Sequence, residues 1–94
     1  MRIIGREVLV DFIRRHATAR KRLDYWQRVV RAAAWKNFLE LRRTFRSADA
    51  VDDKIVFNIG GNNYRLVAMV DFTRQTLLIT KVMTHAEYDK KGIA

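Results

Sequence analysis

The spacing of apolar residues changes period at Lys54, and that change decides what the chain can fold into. Before it, apolar positions recur every three or four residues; after it, they alternate or form β-branched and aromatic runs. Val8, Leu9, Phe12 and Ile13, with His16 at the end, make one amphipathic stripe between Glu7, Asp11, Arg14 and Arg15. Leu23, Trp26, Val30 and Ala33 or Ala34 make a second, so two helices are predicted, with Trp26 in the core. The phase shifts near Asn37, where Asn37 and Glu40 read as a capping box opening a third, short helix through Phe38, Leu41 and Phe45. Met1 to Gly5 reads as a first strand, and Ser47 to Asp53 breaks helical order.

Beyond Lys54, the segments Lys54 to Ile59 and Tyr64 to Phe72 read as strands joined at Gly60-Gly61-Asn62-Asn63, residues that tolerate positive φ. No helix signal or Lys-Ser/Thr pair follows those glycines, so they make a turn and not a phosphate loop. A further turn at Arg74-Gln75 leads to a strand from Leu77 to Met83, and the chain finishes on a short polar tail. One N-terminal strand, two to three helices and an antiparallel meander give an α+β fold. With 94 residues, a single domain spanning 1–94 is expected.

Charge points to a partner. Residues 1–46 carry thirteen Lys/Arg against Glu7, Asp11, Asp24 and Glu40, while residues 47–94 hold six of each sign, so the whole net charge of +9 lies in the helical half. Such a surface attracts a polyanion such as RNA, or an acidic protein, in a salt-dependent way. The absence of cysteine removes disulfides, thiolate nucleophiles and cysteine-bound zinc, and it suits a reducing cytoplasm. With two histidines and no dense carboxylate cluster, neither a metal site nor a cofactor is expected. No signal peptide or membrane span is read, because no stretch approaches 18 uncharged apolar residues.

Two stretches carry a family resemblance. Val56-Phe57-Asn58-Ile59-Gly60-Gly61-Asn62-Asn63-Tyr64-Arg65-Leu66-Val67 and Thr84-His85-Ala86-Glu87-Tyr88-Asp89 resemble the signature segments of HigB-type toxins in the RelE superfamily. Trp35-Lys36-Asn37 and Phe45-Arg46-Ser47-Ala48 are similar to that family as well. The resemblance implies a RelE-like domain and an endoribonuclease that cuts mRNA in association with the ribosome. It also implies a cognate HigA-type helix-turn-helix antitoxin as partner. One departure stands out: typical RelE proteins place lysines along the strand before the glycine turn, where this chain has only Lys54 and Asn58.

The residues present can be matched to that chemistry. RNA carries its own nucleophile, so the enzyme must activate a 2′-hydroxyl, protonate the leaving 5′-oxygen and stabilise the added negative charge. Arg65, His85 and Tyr88 are the candidate catalytic residues, and Lys54, Asn58, Lys81 and Lys90 the candidate RNA-binding ones. On the residues alone, His85 reads better as a polar residue closing the last strand; the resemblance favours proton transfer. Strand parity sets Tyr64, Leu66, Ala68, Val70 and Phe72 on one face and Arg65 on the other. A two- or four-residue turn after that strand would put Lys81 on the core face, whereas a three-residue turn or a bulge would bring it round beside Arg65. The charge alone would also suit a non-catalytic RNA- or ribosome-binding module, or a protein built only for a protein partner.

Overall fold

The computed structural model describes residues 1–92. In chain order they form β1 (Arg2–Ile4), α1 (Arg6–Arg15), a 3-10 turn at Ala17–Ala19, α2 (Arg20–Ala32) and α3 (Phe38–Thr44). Then follow β2 (Asp49–Val51), β3 (Lys54–Ile59), β4 (Tyr64–Asp71), β5 (Thr76–Thr84) and α4 (His85–Lys91). The strands make one sheet in the order β1-β5-β4-β3-β2. β2 to β5 are antiparallel neighbours, and β1 joins the edge parallel to β5, pairing Ile4 with Leu78. The α+β architecture is therefore the one the periodicity predicts.

One sheet face is roofed by α1, α2 and α3. The stripe residues Leu9 and Phe12, Leu23, Trp26 and Val30, and Leu41 pack on Phe57, Leu66, Ala68, Leu77 and Ile79. Trp26 meets Phe57 edge-on at 5.4 Å between ring centroids, and the contact continues through Phe45 to Trp35. The Trp26 indole nitrogen is buried with no hydrogen-bond partner among the described residues, so this side chain serves by volume alone. The Met1 amino group donates to the carbonyls of Val30 at 2.8 Å and Ala33 at 2.6 Å, closing the C-terminal end of α2. Between β1 and α1, Gly5 has φ +91, and a Cβ there would lie 2.7 Å from the carbonyl oxygen of Ile79. The crossing from sheet to helix thus leaves no room for a side chain.

Three features depart from the sequence pattern or add to it. Ser47 to Asp53 is not only a breaker: Asp49–Val51 pairs with Lys54–Val56 as a short edge strand. The expected capping box at Asn37 is half realised. Asn37 Oδ1 accepts from the Glu40 amide, but the Glu40 carboxylate turns to the Lys36 amide. The polar tail is a fourth helix, opened by a complete capping box between Thr84 and Glu87. No described helix is long and apolar enough to cross a membrane.

Candidate active site

On the face opposite the helical roof, the antiparallel ladders bring distant residues into rows. Arg65 pairs with Asn58 on one side and Met83 on the other, and Val67 pairs with Val56 and Lys81. The register also resolves where Lys81 faces. Four residues connect β4 to β5, which by parity alone would turn Lys81 towards the core. Instead the ladder slips between Val67 and Ala68, so that Ala68 meets Ile79, Val67 meets Lys81, and Thr80 is the extra residue. The Thr80 hydroxyl donates to the Val67 carbonyl at 3.0 Å, filling the gap the bulge creates. Leu77, Ile79 and Val82 consequently join the main core, while Met83 sits with Val56 and Val67 on the far face.

Tyr88 of α4 packs against that far-face cluster, which fixes the helix across the end of the sheet. The helix is held at its start as well. The His85 amide donates to the Asn63 carbonyl at 2.8 Å, Thr84 Oγ1 accepts from the Glu87 amide, and the Thr84 amide donates to the Glu87 carboxylate at 2.9 Å. That last bond holds the Glu87 carboxyl below its ordinary value. Desolvation opposes the shift, while the Thr84 hydroxyl and the charges of Arg15 and His16 reinforce it. A carboxylate with a depressed folded value stabilises the fold at neutral pH and loses that contribution as pH falls through the folded value. Acidification below the ordinary carboxylate range is therefore expected to loosen the first turn of α4. The amide resonances of Thr84 and Glu87 should titrate together in the wild type and stay flat in Glu87→Gln.

Arg65 carries the only charged side chain buried among the described residues, at 8% exposure. Its guanidinium is fixed from several sides. Nη2 donates to Asn62 Oδ1 at 2.7 Å, Nη1 to the Tyr64 carbonyl at 3.2 Å, and the group lies 5.7 Å from the Tyr88 ring centre. Nη2 also lies 3.0 Å from His85 Nδ1. A guanidinium only donates, so Nδ1 must be the acceptor, and the ring proton belongs on Nε2. Nε2 stands 3.1 Å from Asp89 Oδ2, one helical turn further along α4. The bonding pattern thus assigns a neutral imidazole with both nitrogens engaged, Arg65 on one side and Asp89 on the other. A neutral ring held in one tautomer by a carboxylate is suited to take a proton once its other nitrogen is released.

The three predicted catalytic residues, Arg65, His85 and Tyr88, converge in one cluster. Asn58 and Lys81 share its face, each within two rows of Arg65. Lys54 does not join them: it lies four residues along β3 from Asn58, about 13 Å at strand spacing, and its Nζ contacts Asp53 at 3.3 Å. Lys90 is exposed on α4, rotated away from the side that carries His85 and Asp89. Asn62 and Asp89 were missed by sequence reasoning. The signal for Asp89 was present in Thr84-x-x-Glu87, because a helix starting there puts His85 and Asp89 at i and i+4. Among the described residues, no group of three or more His, Cys, Asp or Glu is placed to hold a metal ion.

The sequence profile of the HigB_toxin family, described as the RelE-like toxic component of a toxin-antitoxin system, matches residues 19–91. The chain belongs to the HigB toxin family. Its curated relatives include the mRNA interferase toxin HigB of Escherichia coli K12, 35% identical over 92 residues, covering 95% of this chain and 88% of the relative. Another is the mRNA interferase HigB of Escherichia coli O6:H1, 27% identical over 93 residues, covering 96% and 90%. As a HigB-family toxin, the chain is one half of a pair and has a cognate antitoxin as its partner. The stretch resembling the family's ending, Thr84 to Asp89, is the one that delivers His85 and Tyr88 to Arg65.

Proposed function

We propose that this HigB-family toxin is an endoribonuclease that cuts messenger RNA on the ribosome, at a centre formed by Arg65, His85 and Tyr88. The observation that carries this reading is the 3.0 Å contact between Arg65 Nη2 and His85 Nδ1, with Tyr88 stacked against the same guanidinium. A phosphate oxygen presented to Arg65 competes for its N–H groups, because a charge-assisted bond to phosphate outweighs one to a neutral imidazole. His85 Nδ1 is then released, with Asp89 still holding Nε2. Its lone pair takes the proton from the 2′-hydroxyl as the 2′-oxygen bonds to phosphorus. Arg65 stabilises the charge that builds on the phosphoryl oxygens, and the bond from phosphorus to the 5′-oxygen breaks. The Tyr88 hydroxyl donates the proton that the departing 5′-oxygen needs.

Asn58 and Lys81 extend the RNA path across the sheet, with Lys54 and Lys90 as outlying phosphate contacts. All thirteen basic residues of the first 46 are exposed, which gives the helical side a surface suited to ribosomal RNA. The antitoxin in this reading is a helix-turn-helix protein of the HigA type. Purified protein added to programmed ribosomes is expected to cut the messenger with or without chelator. One fragment should end in a 2′,3′-cyclic phosphate or 3′-phosphate, and the other should begin with a 5′-hydroxyl. Protein that binds these ribosomes and leaves the messenger intact would instead be a non-catalytic binding module.

A further inference from the structure

β2 covers β3 only as far as Val56, so the outer edge of β3 beyond it has no strand beside it. There α2 passes close to the glycine turn and leaves a groove of about 190 Å³. Its apolar wall is Trp26, Phe45 and Ile59, and its polar rim is Arg22, Tyr25, Asn58 and Gly60. Tyr25 is 61% exposed, and neither its ring nor its hydroxyl has a partner among the described residues. Arg22 leans over the turn: its Cγ lies 3.6 Å from where a Cβ on Gly60 would stand. The glycine turn that borders the groove at Gly60 also carries Asn62, whose Oδ1 accepts from Arg65, so the groove and the active site meet at that turn.

Taking the ribonuclease reading as its footing, we propose that this groove is a subsite for one unpaired nucleobase flanking the scissile phosphate. An unattached aromatic ring supplies the stacking platform that single-stranded RNA uses. Arg22 supplies a cation for the adjoining phosphate. The groove is small, closed below by Trp26 and Phe45, and holds one base, not a helix of a partner protein.

The test measures cutting of messengers on programmed ribosomes, with each base in turn placed at the positions flanking the cut, for wild type, Tyr25→Ala, Tyr25→Phe and Arg22→Gln. Tyr25→Ala is expected to flatten the base preference at one flanking position and to raise the half-saturating ribosome concentration about tenfold, with the maximal rate kept. Tyr25→Phe keeps the ring and should keep the preference, while Arg22→Gln should weaken binding equally for all four bases. Because Tyr25 is exposed, the melting transition should not move; should Tyr25→Ala fail to fold, Arg22→Gln still reads the site. A preference profile and half-saturation unchanged in both Tyr25→Ala and Arg22→Gln overturns the subsite. Unchanged cutting with weakened antitoxin binding would make the groove a protein contact and overturns it too. A wild type that cuts nothing would instead bring down the ribonuclease reading itself.

Discussion

His85→Ala is expected to lower messenger cleavage by roughly 100-fold or more, the usual loss when an acid–base group is removed. The melting transition should hardly move, since the His85 side chain is 42% exposed and its backbone bond to Asn63 survives the change. Arg65→Ala should cost as much in rate through loss of charge stabilisation. Here the melt should shift as well, because a buried guanidinium that ties together Asn62, Tyr64 and His85 is lost. Arg65→Lys should not rescue the rate: an ammonium is a compact charge without the planar fork that meets those acceptors together. Asp89→Asn should fall between wild type and His85→Ala, because an amide can still orient the ring but stabilises its charged form less. Single-turnover cutting beside thermal melts separates these outcomes. A His85→Ala protein that cuts at the wild-type rate would remove His85 from the chemistry.

The second large effect concerns stability. Trp26→Ala should cost about 3–5 kcal/mol, because the ring is 1% exposed and its removal opens a cavity against Phe57. Trp26→Phe should cost much less, since the indole nitrogen makes no hydrogen bond that the change could break. Denaturant unfolding of the two variants reads the difference directly. A large loss for Trp26→Phe would mean that the indole nitrogen has an acceptor that matters.

The division into helices and strands was legible because each element has one buried face and therefore one clear period. Val8, Leu9, Phe12 and Ile13 mark α1, and Leu23, Trp26 and Val30 mark α2. The orientation of Arg65 followed from alternation along β4 for the same reason. Lys81 could not be placed, since a single inserted residue reverses the parity of a strand, and Thr80 carries no mark of being that residue. The α4 helix escaped periodicity because its seven residues bury no side chain fully, leaving only the Thr84 and Glu87 cap as a signal. With the helix unread, the His85 and Asp89 pair was unread too. Asn62 holds Arg65 through a contact that depends on the fold of the glycine turn, where Gly60 and Gly61 both have positive φ.

In the proposed reaction the RNA supplies its own nucleophile, and Arg65, His85 and Tyr88 serve that attack. Programmed ribosomes carrying a messenger with a single 2′-deoxy sugar at the scissile position test it most directly. Ribosomes must be present, because the proposed substrate is a messenger held in the decoding site. Wild-type protein is expected to cut the all-ribose messenger, to leave the 2′-deoxy one intact at that bond, and to do both in the presence of chelator. Cutting at the 2′-deoxy position, or cutting that chelator abolishes, would contradict it.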